Sequence, residues 1–478
     1  MNPPPLRFAI VGGGVAGLAA ARRLGQLAVE HHREVELHLL EAGPTLGGRV
    51  AAESFAGVQM DLGAESLLVR APETWELLQA LGIADQALAP GTTSASIWNG
   101  RRLVAIPQGS ALGVPPHPWS GAVARAIGVR GALRAGLEPW AAHEKPDPDS
   151  ALGPFIRRRM GGAVLSRLVD PLVGGVYAGS AAELSLGAVA PQLLKALESS
   201  PSLLRGLRQQ PPPPAAARRP TFVTFPGGLT TVVDALAANL APGTIQVGAR
   251  VEEISAGPKA RRARVKIAGS EPVDCDGVVL AIPAPQLSHL VSSISPELAT
   301  TLAGQEWAAV ATVSLAYPEH AFPRPLTGSG FLVPRSPRRV VTACTFLDRK
   351  WPHLKRPGQT LLRASLGSFG DEAILAMDDT TLVTTVHNSL RNVLGVNRLP
   401  LAASVRRWQP ALPQYRAGHL AWRARAFELT AQLPIAAVLA GASYHGVGVA
   451  SCLQSATAAA ETLFGKVTAH ADSGTTAS

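Results

Sequence analysis

The first residues whose types and spacing suggest chemistry form a glycine-rich turn near the start of the chain. The turn reads Gly12-Gly13-Gly14-Val15-Ala16-Gly17, and an acidic residue, Glu41, follows 24 residues after the last glycine. Glycines in this arrangement let the backbone turn tightly and approach a diphosphate, while the free N–H groups of the next helix bind phosphate oxygens. A carboxylate at the position of Glu41 can accept hydrogen bonds from ribose hydroxyls. The pattern predicts a dinucleotide site.

Three predicted elements hold this turn in place. The apolar residues 7–11 enter the turn as a strand, and residues 15–28 continue with helical composition. A second apolar run, residues 35–40, closes at Glu41, so the unit is predicted to be β-α-β. A bare glycine pattern also serves tight backbone packing, and NAD and FAD share this geometry. The unit by itself therefore leaves the choice of dinucleotide open.

The segment just beyond Glu41 favours FAD. Leu46-Gly47-Gly48-Arg49 resembles the second motif of the amine-oxidase-like flavoprotein superfamily, in which backbone and arginine contact the diphosphate side of the flavin. Residues 278–283 and 441–449 resemble further FAD-contacting segments of that superfamily. The resemblance implies that a helix beginning near Ser451 points its positive end at the flavin pyrimidine. It also implies an α/β fold with a Rossmann-like FAD-binding domain.

Longer motifs over nearly the whole chain resemble the bacterial porphyrinogen oxidases of haem synthesis. They are Asp61-Leu62-Gly63-Ala64-Glu65-Ser66, residues 170–179, Arg349-Lys350-Trp351-Pro352-His353, Arg407-Trp408, Leu412-Pro413-Gln414-Tyr415 with Gly418-His419, and residues 441–448. Together with the superfamily motifs, this resemblance assigns FAD contacts to Gly12, Gly13, Gly14, Val15, Ala16, Gly17, Glu41, Ala42, Gly47, Gly48, Arg49, Gly63, Ala64, Glu65, Ser66, Val251, Trp408, Val447, Gly448 and Val449.

The same resemblance implies an oxidation in which a colourless porphyrinogen loses six hydrogens and becomes an aromatic porphyrin. FAD takes the hydrogens two at a time and molecular oxygen reoxidises it, so the protein mainly has to position the macrocycle and exclude water. The sequence accordingly shows no convincing catalytic triad or carboxylate pair. His445, near the last glycine loop, could act on protons, but a structural histidine is the preferred interpretation.

Two substrates divide this family: protoporphyrinogen IX, with two propionates, and coproporphyrinogen III, with four. Protoporphyrinogen-type members carry an arginine for a propionate shortly before the segment that resembles Ile97-Trp98-Asn99-Gly100, and Ser94 occupies that position here. Ile106-Pro107-Gln108-Gly109-Ser110 and Thr342-Ala343-Cys344-Thr345-Phe346 resemble the coproporphyrinogen-oxidising enzymes of Gram-positive bacteria. The sequence therefore favours coproporphyrinogen III, with protoporphyrinogen IX as the alternative.

Three residues are predicted to contact the macrocycle. Arg70 is the candidate for a propionate, Tyr177 for the pocket wall and Phe331 for the face of the ring. Each also has a plainer interpretation, since Arg70 could be a solvated loop charge and the two aromatic residues could belong to the core.

The basic charge of the chain bears on its partners. A net charge of +10 could attract nucleic acid, anionic lipid or an acidic small molecule, or could simply keep the surface solvated. The arginines are scattered, without zinc-finger spacing or an aromatic RNA-binding pattern, so no nucleic-acid partner is expected. The apolar residues Val123, Ile127, Leu133 and Leu137, with arginines between them, predict basic amphipathic helices. These helices could contact a membrane peripherally, although ordinary packing is favoured.

Cysteine usage and the amino terminus bear on the compartment. Cys275, Cys344 and Cys452 lie far apart and form no metal-ligand or redox pair, so no structural metal is expected. Neither an apolar run of about 18 residues nor a signal-peptide pattern occurs, which predicts a cytoplasmic protein. The family resemblance adds a hand-over of product to a ferrochelatase-type enzyme as a candidate partnership.

The predicted organisation interleaves three domains. Residues 1–70, 211–290 and 406–466 form the FAD-binding domain, residues 71–114 and 291–405 a mixed-sheet substrate domain, and residues 115–210 a helical insertion. Strand-like runs between residues 310 and 366 predict a mostly antiparallel sheet, and residues 245–251 predict a shorter strand. The proline-rich residues 209–220 are predicted to be a surface loop or linker, and residues 467–478 a disordered tail.

Two other functional classes would keep the nucleotide motifs. An amine oxidase or a carotenoid desaturase of the same superfamily would differ in the middle of the chain, and amine oxidases usually cage the flavin with aromatic residues. The chain has only four tyrosines, which argues against such a cage. The second alternative is a non-catalytic module that binds and delivers a tetrapyrrole, and failure of every porphyrinogen to reduce the flavin would favour it.

Overall fold

The computed structural model describes residues 4–141, 144–210, 219–258, 261–335, 340–371 and 373–475, with side chains described as far as residue 470. The strands are β1 (Leu6–Val11), β2 (Val35–Glu41), β3 (Ala52–Phe55), β4 (Val58–Asp61), β5 (Leu67–Leu68), β6 (Ser96–Trp98), β7 (Leu103–Ala105), β8 (Phe222–Val223), β9 (Ile245–Val247), β10 (Val251–Ala256), β11 (Ala263–Ile267), β12 (Val273–Cys275), β13 (Gly277–Leu280), β14 (Trp307–Pro318), β15 (Gly330–Leu332), β16 (Val341–Phe346), β17 (Gln359–Leu366), β18 (Ala402–Pro413) and β19 (Ala437–Leu439).

The helices alternate with these strands and concentrate between residues 121 and 209. They are α1 (Val15–Glu30), α2 (Pro72–Ala80), α3 (Gly121–Ile127), α4 (Val129–Gly136), α5 (Leu152–Met160), α6 (Gly162–Val164), α7 (Asp170–Tyr177), α8 (Leu186–Val189), α9 (Pro191–Ser199), α10 (Leu203–Gln209), α11 (Thr230–Ala238), α12 (Ala284–Leu290), α13 (Pro296–Ala303), α14 (Leu347–Lys350), α15 (Asp379–Leu394), α16 (His419–Ala431) and α17 (Val449–Thr475).

A five-stranded parallel sheet, in the order β19-β13-β1-β2-β9, organises the nucleotide-binding part of the chain. Successive side chains of a strand point to opposite faces, and β1 buries both of its faces. Phe8 and Ile10 pack with α1 and α17 on one side, whereas Ala9 and Val11 pack on the other side with the β10-β11-β12 sheet. This double burial explains why residues 8–11 of β1 are all apolar, because neither face of that part of the strand meets water.

A second sheet of seven strands, in the order β18-β14-β17-β16-β15-β6-β7, forms the other main layer. Its strands β14, β16, β17 and β18 pair antiparallel, as predicted for residues 310–366, whereas β15 and β6 pair parallel. Helix α15 covers one face through the buried residues Leu382, Val386 and Leu390. Helices α3 to α10 have a core of their own, and α7 rests on β15, where Gly175 lies close to Leu332.

Two predicted boundaries differ from the structure. Residues 245–251 form two strands of different sheets, β9 and β10, because Gly248 turns the chain with a φ of +73°. The last helix continues past residue 466 to Thr475, since Val467 still packs against Gly277 of β13, and this shortens the predicted disordered tail. Most of the predicted linker, residues 211–218, lies outside the described residues.

Candidate functional site

The glycine turn connects β1 to α1 at the carboxyl ends of the parallel strands. Gly12 has a φ of +107°, and a β-carbon on Gly17 would overlap the Gly12 carbonyl oxygen, so both positions require glycine. A β-carbon on Gly14, in contrast, would meet no atom within 4 Å, because it would project into an open cleft. The space beside Gly14 is therefore where a diphosphate could approach the backbone.

Glu41 ends β2 beside this turn. Its Oε2 accepts a hydrogen bond from the Gly13 N–H at 2.7 Å, and its Oε1 accepts one from the Gly43 N–H at 2.7 Å. One carboxylate thus fixes two backbone segments that border the cleft, a role that the sequence spacing did not predict. A carboxylate has about four lone-pair sites, so Glu41 keeps acceptor capacity for ribose hydroxyls.

The cleft has a volume of about 680 Å³ and is built from separated parts of the chain. Of the residues predicted to contact FAD, those that line it are Gly12, Gly14, Glu41, Ala42, Gly48, Arg49, Val251 and Trp408. Residues that the sequence did not single out complete its wall, among them Ala249, Arg250, Gln286, His289, Arg406, Gln409 and Pro410.

Arg49 and Trp408 lie where the cleft meets the seven-stranded sheet. Arg49 donates to the Pro410 carbonyl oxygen from Nε at 3.2 Å and from Nη2 at 2.9 Å, and its guanidinium lies 4.7 Å from the centre of the Trp307 ring. Burial lowers the pKa of Arg49 to about 10, so the side chain stays cationic at neutral pH. Arg406 in turn lies 4.8 Å from the centre of the Trp408 ring. This end of the cleft therefore combines the fixed positive charge of Arg49 with the indole of Trp408, which packs against Arg406.

The residues that line the cleft test whether it fits a cofactor. The open space beside Gly14 leaves room for a diphosphate, and the Glu41 carboxylate keeps acceptor capacity. The indole N–H of Trp408 is buried without a hydrogen-bond partner among the described residues and is not exposed to the cleft. With Glu41 for the ribose, Gly14 for the diphosphate and Arg49 for negative charge, the residues present fit FAD.

The remaining residues assigned to FAD support the cleft from behind. Val15 and Ala16 are buried in the first turn of α1, and the Gly47 N–H donates to the Gly13 carbonyl at 2.9 Å, which holds the second glycine motif against the first. A β-carbon on Gly63 would come within 3.4 Å of the Trp408 ring, so this segment lies beside the indole. Ala64 and Ser66 flank Glu65 in the same half-buried segment.

Glu65 belongs to a buried charge cluster. Its carboxylate pairs with Lys350 Nζ at 2.5 Å and with the Arg363 guanidinium. Burial alone would raise the pKa of Glu65, but the Arg363 and Lys350 cations outweigh it and hold that pKa at about 2. Nearby, burial raises the pKa of Asp61 from its usual 3.8 to about 7, although the carboxylate accepts a bond from the Leu229 N–H at 2.9 Å. The cluster joins the nucleotide part to β17.

Residues 447–449 lead into α17 and do not line the cleft. A β-carbon on Gly441 would come within 3.5 Å of Ala16, so the preceding loop lies against the start of α1. Cys452, in the first turn of α17, is close enough to Arg49 for the two groups to affect each other's pKa. His445 contacts Phe427 with 5.5 Å between the ring centres and does not line the cleft, which supports a structural role.

The structure brings two of the three predicted substrate residues to one interface. Tyr177 ends α7 and Phe331 lies in β15, where the helical insertion meets the seven-stranded sheet, and both are buried. Burial raises the pKa of Tyr177 to about 12, so its hydroxyl stays protonated. Arg70 is exposed after β5, on a different small sheet, and its assignment to a propionate stays a prediction.

Known proteins resemble this chain over nearly its full length. A family model described as flavin containing amine oxidoreductase matches residues 15–463. Coproporphyrinogen III oxidase from Mycobacterium leprae is 35% identical over 96% of this chain and 98% of that protein, and coproporphyrinogen III oxidase from Bacillus subtilis is 30% identical over 94% and 96%. A crystal structure of a protein from Exiguobacterium sp., described as a protoporphyrinogen oxidase, has a TM-score of 0.84 and 29% identity, covering 97% of this chain and 99% of its own.

A methyl group on Gly14 tests the position of the cofactor. Gly14 has a φ of −71°, which alanine adopts without strain, so Gly14→Ala fills only the open space of the cleft. We expect the FAD dissociation constant to rise about tenfold, or ~1.4 kcal/mol, in titrations of apoprotein followed by flavin fluorescence. Gly465→Ala, another site with no neighbour within 4 Å, is the matched control and should bind FAD normally. Unchanged FAD affinity in Gly14→Ala would contradict the assigned diphosphate position.

The raised pKa of Asp61 predicts a pH-dependent stability. Between its unfolded value of 3.8 and its folded value of about 7, Asp61 is ionised only when the chain is unfolded. Its contribution is therefore fully present below about pH 4, is lost at about 1.4 kcal/mol per pH unit as the pH rises towards 7, and is absent above that pH. Asp61→Asn keeps the acceptor for Leu229 and should remove this slope in urea unfolding measured from pH 5 to 8. Equal slopes for Asp61→Asn and the natural chain would exclude a protonated Asp61.

Proposed function

The chain belongs to the family of flavin containing amine oxidoreductases, and on that premise we propose that it oxidises coproporphyrinogen III to coproporphyrin III. The observation that carries this proposal is the continuity between the nucleotide cleft and the seven-stranded sheet. Trp408 lines the cleft and pairs, within β18, with Val310 of β14. A cofactor held by the glycine turn thereby reaches the layer on which the helical insertion rests.

FAD bound at this site would supply the redox chemistry, namely removal of hydrogens from the macrocycle two at a time with molecular oxygen as the final acceptor. The role of the protein is to position the cofactor and the macrocycle and to exclude water from the site. Arg49, fixed on the Pro410 carbonyl, would hold negative charge at the diphosphate side, and the Trp408 ring would form part of the cleft wall. Tyr177 and Phe331, both buried where the helical insertion meets the seven-stranded sheet, are the proposed apolar contacts of the macrocycle. No protein acid or base is required for these roles.

The loop that contains Ser94 supports the choice of coproporphyrinogen. The Ser94 carbonyl accepts hydrogen bonds from the Ser329 N–H at 2.7 Å and from its Oγ at 3.0 Å, which ties this loop to the approach to β15. Position 94 carries the small side chain of serine. By the family resemblance, a protoporphyrinogen-type enzyme would place an arginine for a propionate at this position. Full-length similarity to proteins named coproporphyrinogen III oxidase supports the same choice. Protoporphyrinogen IX is the second candidate substrate.

Once the macrocycle is aromatic, this site has no further reaction to perform on it. Coproporphyrin III is a planar tetracarboxylate, and the next chemical step open to a free-base porphyrin is metal insertion. Hand-over to a ferrochelatase-type enzyme is therefore part of the proposal.

A peripheral membrane contact is also part of the proposal, through an exposed apolar patch on the helical insertion. We call it the insertion patch; its members and their exposed fractions are Trp119 (55%), Val129 (67%), Leu133 (48%), Leu137 (55%) and Trp140 (71%). The exposed residue Arg130 lies on α4 with Val129 and Leu133, and the exposed residue Arg125 lies on the preceding helix, α3. Apolar side chains beside cations suit the interface of an anionic bilayer, where tryptophan is favoured. None of the helices in the described ranges is long and apolar enough to cross a membrane.

The proposed reaction predicts a substrate preference. In air-saturated buffer, with porphyrin fluorescence as the readout and FAD-free protein as the control for spontaneous oxidation, kcat/KM should be at least about tenfold higher for coproporphyrinogen III. A higher kcat/KM for protoporphyrinogen IX would make that compound the assigned substrate. Absence of activity on both porphyrinogens, with the flavin still reduced by amines, would instead indicate an amine oxidase. Binding of porphyrin without flavin reduction would instead indicate a carrier.

The insertion patch predicts binding to vesicles. The natural chain should sediment with vesicles that contain phosphatidylglycerol and less with pure phosphatidylcholine, because Arg125 and Arg130 add charge attraction. A Leu133→Ser, Trp140→Ser double variant should reduce the bound fraction at least about tenfold, since each buried apolar side chain contributes roughly 1.5–3 kcal/mol. The matched control is Leu399→Ser with Leu401→Ser, two leucines that are 74% and 65% exposed elsewhere. Equal loss in both double variants would rule out the patch.

A further inference from the structure

The motif Leu412-Pro413-Gln414-Tyr415 with Gly418-His419 has no part in the cleft described above. It lies between β18 and α16, and the side chains of Gln414, Tyr415 and His419 are all at most 5% exposed. Buried polar side chains persist where they are hydrogen-bonded, and their partners show which segments they connect. The partners of this motif connect two functional parts of the molecule.

Tyr415 holds the glycine loop that precedes α17. Its hydroxyl donates to the Ala442 carbonyl oxygen and accepts a hydrogen bond from the Gly446 N–H at 2.9 Å. One hydroxyl therefore closes residues 442–446 into a fixed loop. Gly441 and Gly446 have φ values of +99° and +128°, which glycine tolerates and which leave the loop dependent on external contacts for its shape.

The ring of Tyr415 is itself held in place. It stacks on the His419 ring with 4.1 Å between centres and an interplanar angle of 24°. Burial lowers the pKa of His419 to about 4, so the imidazole is neutral at physiological pH and the stack carries no charge. The His419 Nε2 also lies 3.5 Å from the Tyr444 carbonyl, inside the same loop. Rotation of the Tyr415 hydroxyl away from the loop would disrupt these contacts.

The same motif reaches the predicted macrocycle pocket. Gln414 Nε2 donates to the Tyr177 carbonyl oxygen at 2.8 Å, and the Tyr177 and Tyr415 rings lie 5.9 Å apart. The Tyr415 carbonyl accepts a bond from the Ser185 N–H at 2.7 Å, so the helical insertion is tied to this motif at two points. Tyr177 and the glycine loop are therefore connected through adjacent, buried contacts.

We propose that Tyr415 is a positioning residue that fixes the glycine loop and the start of α17 against the flavin, and that Gln414 connects this loop to the macrocycle pocket. The part played by Gln414 rests on the proposed porphyrinogen oxidase function, whereas that of Tyr415 requires only bound FAD. The start of α17 carries the positive end of the helix dipole. Holding it still would keep that potential fixed relative to bound FAD, which would favour the reduced, anionic form of the flavin.

Tyr415→Phe tests the first part on the purified flavoprotein without any porphyrinogen. The variant keeps the ring stack and loses only the hydroxyl, so we expect a roughly tenfold higher FAD dissociation constant, a changed visible circular dichroism band of bound flavin and a more negative reduction potential. Tyr317→Phe is the matched control, because Tyr317 is buried and its hydroxyl lies 2.9 Å from His387 Nδ1 in the seven-stranded sheet. That control should lose stability without changing the flavin.

Identical flavin dichroism and potential in Tyr415→Phe and Tyr317→Phe would overturn the assignment of Tyr415. If Tyr415→Phe does not fold, His419→Gln replaces it as the test, because this variant removes the stacking partner and leaves the Tyr415 hydroxyl. His419→Gln should change the flavin dichroism and reduction potential in the same direction but by less. Unchanged flavin properties in His419→Gln would overturn the proposal. Gln414→Leu tests the second part. It should raise KM for coproporphyrinogen III while the FAD dissociation constant stays normal, and an unchanged KM would overturn the connection.

Discussion

The structure depends on parallel pairing among strands that are distant in the chain. β19, β13 and β1 are consecutive strands of one sheet although more than 150 residues of chain separate each from the next, and their carboxyl ends therefore meet at one edge. Parallel strands place their following loops side by side. The glycine turn after β1, the segment after β13 and the glycine loop after β19 are brought together in this way. The cleft and the start of α17 exist only because of that pairing.

Two buried charges beside the cleft are held by partners. Glu65 is balanced by Lys350 and Arg363, and Arg49 is held by a carbonyl oxygen and an aromatic face. Removing one member of such a group leaves an unpaired charge in a poorly solvated place, which is more costly than the original pairing. These contacts link the nucleotide part to the seven-stranded sheet, so the same residues that set the electrostatics of the cleft also join the two layers.

The elements that could be predicted from the sequence are those encoded by residues close together in the chain. β1, α1 and Glu41 fall within one short stretch with clear apolar periods, and the structure has them in place. The pairing of Glu65 with Arg363 could not be predicted, because the two lie 298 residues apart and meet only when β17 packs beside the loop after β4. Gly248 divides one predicted strand into two. The left-handed conformation of this single residue does not alter the residue pattern on either side of it, so the break was not predicted. Phe331 was assigned through family resemblance, and burial in the core is what its surroundings show.

The position of α17 has a consequence for how the chain matures. The ring of Phe8 in β1 stacks on that of Phe464 with 6.2 Å between centres, and Leu18 and Leu24 of α1 share a core with Leu463. A chain still emerging from the ribosome makes its nucleotide turn long before it makes α17, so the part of α1 that α17 covers has no partner until the last helix is made. Loss of that helix would expose this part of α1 and the ring of Phe8 in the first strand.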